Sequence, residues 1–430
     1  MIRRRLWLFL AAAALAVFVA ACGGGGDDNE ATPSQPTKNV TLTFWNGFTG
    51  PDRPALEEIV KRFNASHPKI KVQMTIMPWD SFFQKLLPSY GSGKGPDIAA
   101  MDSVQVPQYA DKGVFAPLDD VYTDNVVPKD KLVQSAVEAG KWDDKYYSIP
   151  MNFTTLLLYW NKDMFKQAGL DPDKPPTDWK QWQNAAVKLT KDENGDGKPE
   201  QYGYAIADHA TIPMWPILIW GNGGDVVTKD GDVMLDDPKT VDAVEQWSNL
   251  IINKKISPVG LGGADADKLF QSKKAAMEVV GPWMTTGFKD AGIDFGLAMV
   301  PKGPQKQVTL GTSVQFVMNA KVDDDKKAAA YEFFKYWHSQ PSQKYWAVNS
   351  GFPPTRTDVG KEQLKENPFV AEFGEYADQS QFYLVGVKDF TKVNTNTFEP
   401  AIQRILNKKG TPEQVLGNAA KKIEAQTASN

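Results

Sequence analysis

Cysteine is almost missing from this chain: its 430 residues include one, Cys22. No disulfide can close within the chain, so the fold must stand on its apolar core. With 42% hydrophobic residues the chain can build that core over two or three domains. Histidine is scarce as well. His67, His209 and His338 stand far apart without metal-ligand spacing, and neither H-E-x-x-H nor G-x-S-x-G occurs. Zinc chemistry and a Ser-His triad are therefore not expected. Basic charge is not in excess: the net charge is −4 and the lysines are scattered among acids. That pattern excludes a nucleic-acid footprint. After residue 21 no apolar run approaches a membrane span; the densest, 215–220, is ended by Gly221.

What is present begins at the N-terminus. Arg3, Arg4 and Arg5 precede an apolar stretch over 6–20, and Val19-Ala20-Ala21 puts small residues directly before Cys22, which Gly23–Gly26 follow. The apolar stretch is short for a transmembrane helix and ends in a cleavage-like tail. It resembles the bacterial lipoprotein signal, in which the cysteine becomes residue one and is acylated. The resemblance implies that 1–21 is a signal peptide and that Cys22 is lipidated. The exported chain is then anchored to the outer face of the cytoplasmic membrane, at the cell surface or in the periplasm. Removing 1–21 takes away three arginines and leaves −7. Residues 22–39, rich in Gly, Pro and acids without apolar periodicity, read as a flexible tether.

The body alternates strand and helix patterns. Strands are predicted at 40–45, 71–76 and 97–101. Helices are predicted at 54–64, at 81–90 with Ser81 as its cap, and at 104–112. This alternation signals a parallel α/β sheet. The pattern repeats on a second body, with strands at 146–150, 155–159, 202–207, 275–279 and 295–299 and helices at 162–168, 178–190 and 238–253. The C-terminal part is helix-rich: 325–337, 341–349, 398–407 and 412–425. The chain is also rich in aromatics, with 13 Trp, 13 Tyr and 22 Phe. Such content in a secreted, disulfide-free protein fits a binder of sugars or apolar ligands, although most single aromatics belong to a core.

Several short motifs, in order, resemble the extracellular solute-binding proteins, family 1. They are Trp45-Asn-Gly47, Gly95-Pro-Asp-Ile-Ala-Ala-Met-Asp102, Gly113-Val-Phe-Ala-Pro-Leu118, Leu158-Tyr-Trp-Asn-Lys-Asp-Met-Phe165, Trp220-Gly-Asn-Gly-Gly224, Ala275-Ala-Met-Glu-Val-Val-Gly-Pro-Trp283 and Ser350-Gly-Phe-Pro-Pro-Thr-Arg356. The resemblance spans about 40–425. It implies a two-lobed, type II periplasmic-binding-protein-like α/β fold with hinged lobes. Lobe one would comprise 40–152 and 312–350, and lobe two 153–311 and 351–430. Crossings are implied near 151–154, 311–315 and 348–351, where Gly311 and Gly351 suit a hinge. The implied function is capture of a mono-, di- or oligosaccharide by lobe closure and delivery to the permease subunits of an ABC importer. No cofactor is required and the expected state is a monomer.

A sugar presents C–H faces and a rim of hydroxyls, so its site needs flat rings and Asp, Asn or Arg side chains. Asp102, at the carboxyl end of a parallel strand, stands where open α/β sheets bind ligands, and the same position suits an N-cap. Asn46 closes the first strand at the same edge. Trp79 follows the second strand. Trp215 and Trp220 flank an apolar helix, one as a platform and the other as core. By the resemblance, Trp283 stacks on the sugar, Asn152, Thr154 and Gly311 face the cleft at crossings, and Arg356 follows a stiff loop aimed at it. The relatives carry an acid near Thr154, so the specificity differs. An arginine at 356 also suits a glycerophosphodiester; that ligand, or a polyol, is the alternative. A secreted glycoside hydrolase is a further alternative, since 52 carboxylates cannot exclude an acid pair by counting. Separately, Asp192, Asn194, Asp196, Lys198 (through its carbonyl) and Glu200 have the spacing of a calcium loop with Gly197 at its turn. The glutamate that would complete it is Gly203, and an Asp/Asn/Gly turn is the other reading.

Overall fold

Alternation in Val40–Asn46 (β1) buries Leu42 and Phe44 completely. The next segment, Arg53–Ser66 (α1), has Pro54 in its first turn and lays Leu56, Ile59, Val60 and Phe63 on one face over that strand. The strand Ile70–Ile76 (β2) pairs in parallel with β1 along its whole length. The helix Trp79–Gly91 (α2) begins directly after Pro78, so Ser81 lies inside its first turn and is not its cap. The strand Ile98–Asp102 (β3) lies on the other side of β1, again parallel. These elements belong to a computed structural model that describes residues 36–427 apart from Thr211, Ala377 and Asp378. The expected signal peptide, Cys22 and most of the tether lie outside the described residues.

Two further strands complete the sheet of lobe one. Val314–Met318 runs antiparallel to β3, and Ile149–Pro150 pairs antiparallel with Val314–Met318. The sheet is therefore parallel on one side and antiparallel on the other, because its last strands arrive from distant chain. Asp97 ties the start of β3 to its surroundings: it accepts hydrogen bonds from the Thr43 amide and hydroxyl and from Lys326, all at 2.7–2.8 Å.

The second lobe departs from the predicted parallel repeat. Its central strand Leu157–Asn161 pairs antiparallel with both Met277–Val280 and Phe295–Ala298. The predicted strand at 202–207 is reduced to single bridges, Tyr202 to Ala275 and Ala205 to Glu278, because its Tyr204 amide is taken by the Ile256 carbonyl. The fully buried Trp182 and Trp247 meet edge to face at 4.6 Å under the helices Trp179–Leu189 and Pro238–Lys254. Lobe one has its own aromatic core, in which Trp337, Trp346, Phe316 and Phe333 are buried. Most tryptophans are thus structural, as the base rate for single aromatics suggests.

Between the lobes the chain crosses in short strands. Thr154–Thr155 pairs antiparallel with Gly311–Thr312, and Ser313 alone separates the strand Thr309–Thr312 from Val314–Met318. Gly311 permits a close approach: a Cβ there would stand 2.8 Å from the Ser380 hydroxyl. Gly351 ends the helix Gln340–Ser350 at φ 86°, in the left-handed region, and a Cβ would meet the Pro282 carbonyl at 2.8 Å. The chain does not leave lobe one there. Phe352 enters the lobe-one core, and Thr355 donates its amide and hydroxyl to Gln343. The Val133 amide donates to the Thr355 carbonyl and the Thr357 amide to the Lys131 carbonyl, which ties the segment 352–357 to lobe one, so the third passage falls after Thr357. Phe373 then packs in lobe two and accepts from the Thr155 hydroxyl. No helix among the described residues is long and apolar enough to cross a membrane.

Candidate functional site

β1 and β3 run parallel, so Asn46 and Asp102 end on one edge of the sheet, where ligands bind in open α/β sheets. Strand pairing sets Val314 opposite Asp102, and the Val314 amide donates to Asn152 Oδ1 at 2.9 Å. Asn152 at the first crossing is thereby fixed at the same edge. Three donors here are buried without an acceptor: Asn46 Nδ2, Asn152 Nδ2 and the Ser103 hydroxyl. Each costs on the order of 1–3 kcal/mol while unmet. Asn46 uses its other end to accept from the Phe48 amide. Asp102 caps the turn at 103–105 through a long 3.5 Å bond from the Val104 amide, so the cap reading of this residue holds. Among the described residues no cation pairs with it, and burial pushes its carboxyl up to about 7. Asp52, before α1, is likewise buried and pushed up to about 7.

The ring side of the junction is built by Trp283. It follows Gly281-Pro282 at the end of Met277–Val280, is half-buried, and packs against the apolar clusters of both lobes. Its ring tilts 31° to Phe352 at 6.0 Å. A Cβ on Gly281 would strike the indole at 1.8 Å, so only glycine lets the ring lie over its own backbone. Trp79 is half-buried on lobe one, stacked on Phe83 at 5.8 Å and seated over Gly47. Trp215 lies on lobe two with its indole N–H unpartnered. It lines a small pocket of about 10 Å³ with Asp208, Asn394 and Glu399.

Other sequence candidates are placed elsewhere. Trp220 is core: it is 1% exposed, its N–H donates to Asp225 at 2.8 Å, and Tyr383 packs on it. Trp215, 3% exposed, lies in the same apolar cluster, so both tryptophans flanking the apolar helix are buried. Arg356 is engaged within lobe one; its guanidinium grips both Asp358 oxygens (2.6 and 2.7 Å) and the His338 carbonyl. That pairing holds the Asp358 carboxyl down at about 2. The Arg356 donors are thus taken by Asp358 and the His338 carbonyl. Thr154 is fully buried and donates to the Thr155 carbonyl, and Gly311 serves strand approach. The calcium expectation is corrected too. The Asp192 oxygens take the Gly195 and Gly197 amides, Asn194 Oδ1 takes the Asp196 amide, and Asp196 takes the Lys198 amide. The Asn194 amide donates to Glu200. The loop is an Asx-turn series closed on its own backbone, and among the described residues no three His, Cys, Asp or Glu side chains form a metal-holding group.

Sequence reasoning missed several elements, among them the helices Gly263–Gln271 and Thr285–Asp290 and the strands Thr309–Thr312 and Val314–Met318. Thr391–Phe398 winds as a π-helix, a form often found at functional sites. Its Asn394 accepts from the Tyr383 hydroxyl and donates to Glu399. Burial chiefly raises the Glu399 carboxyl, and Asp80 from the start of α2 adds to this, so lobe one's field reaches this side chain. At the same end, Gln108 Oε1 accepts from the Thr391 amide and Asp111 pairs with Lys388 at 3.1 Å, linking the lobes. The run 391–399 carries no helical period in its polarity, so no sequence signal marked it.

Two α/β lobes joined by crossing strands, with unmet polar groups and aromatic rings at their junction, define the type II periplasmic-binding-protein fold. The bacterial extracellular solute-binding protein model matches residues 49–344, and the chain belongs to that family: it is a solute-binding protein and not an enzyme. It is 25% identical over 411 residues to the arabinooligosaccharide-binding protein of Bacillus subtilis, covering 89% of this chain and 92% of that one. It is 24% identical over 413 residues to the sn-glycerol-3-phosphate-binding periplasmic protein of Pectobacterium atrosepticum, covering 89% and 90%. Among solved structures it is similar to a Listeria monocytogenes ABC substrate-binding protein in complex with cycloalternan. There the TM-score is 0.79 at 25% identity, over 90% of this chain and 99% of that one.

Proposed function

We propose that this chain captures an uncharged carbohydrate between its lobes and hands it unaltered to the permease of an ABC importer. The observation that carries the reading is the set of buried, unpartnered donors Asn46 Nδ2 and Asn152 Nδ2 beside the desolvated carboxyl of Asp102. A vicinal diol supplies acceptors to the amides and donors to the carboxyl, which satisfies both at once. Trp283 offers a flat face for the C–H side of the ring, with Trp79 at the margin. Arabinooligosaccharide and cycloalternan binding among the similar proteins supports this ligand class.

A phosphodiester fits less well. Asp52, buried, and Asp102, half-buried, put acids near the junction, and Arg356, the cation that suited an anion, is held by Asp358. The proposal divides the chain near 152/153 and 312/313, with the third passage after residue 357. It retains Cys22 as the acylated anchor, 1–21 as the signal peptide, residues 22–39 as the tether, and a monomer as the working unit. Thermal-shift screening of the purified chain against arabino-, malto- and manno-oligosaccharides and glycerol 3-phosphate tests it. The expected result is stabilisation by a neutral sugar that is recovered intact. Stabilisation by the phosphate alone, or cleavage of the sugar, defeats the proposal.

A further inference from the structure

The lobes touch away from the crossing strands, through the segment that Asp102 begins. From Asp102 the chain winds through the turn 103–105 into the short helix Val106–Ala110. Val104, half-buried, packs against the apolar cluster of lobe two. Gln108 gives its amide to Gln105 Oε1 at 3.1 Å, which leaves its own carbonyl oxygen to accept from the Thr391 amide at 3.3 Å. Thr391 opens the π-helix Thr391–Phe398, and a first-turn N–H has no acceptor within its own helix, so lobe one supplies it. Directly after Val106–Ala110, Asp111 pairs with Lys388 at 3.1 Å. The Lys388 and Asp111 side chains are 40% and 32% exposed, so water can take over each charge when the two separate. Elsewhere Pro51 of lobe one meets lobe two at Gly287, where a Cβ would stand 2.8 Å from the proline ring.

We propose that Gln108 and Asp111 form a latch with Thr391 and Lys388 that is made only when the lobes close and that favours the closed form. This rests on the reading that the lobes hinge around a solute, but it needs no particular solute. Neither pair lies in a crossing strand, and each joins groups of different lobes, so rotation about the crossings parts them. The latch is weak by design of its parts: one long amide bond and one partly exposed ion pair hold the lobes without sealing them. It also sits on the element that carries the solute-facing carboxyl. A solute bound between Asp102 and lobe two brings the segment 103–111 toward 388–391, so the solute and the latch bias the same equilibrium in the same direction.

Disulfide trapping in the purified chain without sugar tests this. Cys22→Ser removes the single native cysteine, and Pro51→Cys with Gly287→Cys supplies a reporter pair at a second lobe-to-lobe contact. In this parent chain the reporter disulfide is expected to form at a rate set by the closed population. Lys388→Asp should slow trapping by about two- to five-fold at low salt, the scale of a partly exposed ion pair. Asp111→Lys should slow it to a similar degree. The two together restore a pair of opposite charges and should return the parent rate, which also shows that each variant folds. Salt at about 1 M should erase the differences. An unchanged rate in Lys388→Asp overturns the proposal, as does a double variant that stays slow or a parent chain that does not trap. Because no sugar is present, each of these failures is separate from failure of the carbohydrate reading.

Discussion

Replacing Asp102 by Asn should make the solute-free protein more stable at alkaline pH and a poorer binder. The carboxyl titrates at about 7 in the folded chain against 3.8 in a model peptide. A folded pKa above the unfolded one means folding favours the protonated form. That stability is fully present below 3.8 and is lost as pH rises through about 7. Each pKa unit is worth about 1.4 kcal/mol, so the loss approaches ~4 kcal/mol when ionisation is complete. Asp102 retains some contact with solvent, which lowers the expected figure to about 2–4 kcal/mol. Asparagine is neutral throughout and still accepts from the Val104 amide, so the cap survives. Urea unfolding without sugar should therefore show the variant ahead by about 2–4 kcal/mol at about pH 8, with the two proteins converging at about pH 4. Calorimetry with the sugar found by screening should show affinity weaker by about 1.5–3 kcal/mol, the scale of a hydrogen bond to a charged group. Equal stability at alkaline pH would refute the desolvation argument, and unchanged affinity would remove Asp102 from the site.

Three further perturbations separate binding from structure. Trp283→Ala should weaken sugar binding by about 1–3 kcal/mol in calorimetry, the loss of one aromatic anchor. Arg356→Ala should lower unfolding free energy by about 1–3 kcal/mol, since it strips Asp358 and the His338 carbonyl of their donors, while sugar affinity stays the same. His338 is buried between the Phe334 and Pro150 carbonyls, and burial lowers its pKa from 6.5 to about 4. A depressed folded pKa contributes stability above 6.5 that is lost as pH falls toward about 4, amounting to ~3 kcal/mol. His338→Gln should flatten that acid limb in urea melts at about pH 6.5 and about pH 4.

Lobe one was readable because its elements are local and amphipathic. Phe44 alternates with half-buried neighbours, and Leu56, Ile59, Val60 and Phe63 recur at helical spacing, so pattern and burial agree. The antiparallel sheet of lobe two was not, since Leu157–Asn161, Met277–Val280 and Phe295–Ala298 are each buried or nearly so and their direction depends on distant pairing. Asp102 and Asn46 could be found from strand ends. Arg356 misled because its loop suggested the cleft, whereas Asp358, two residues on, turns the guanidinium back. The Asp192–Glu200 spacing misled for a related reason: the oxygens that would surround a cation are taken by the loop's own amides.

Closure on a neutral sugar is tested most directly by small-angle scattering of the purified chain, titrated with the oligosaccharides that stabilise it and with glycerol 3-phosphate. A fall in radius of gyration that saturates with a neutral sugar, the sugar being recovered whole, is the predicted result. A radius that stays constant at sugar concentrations where calorimetry shows full occupancy, or one that contracts only with the phosphate, contradicts it.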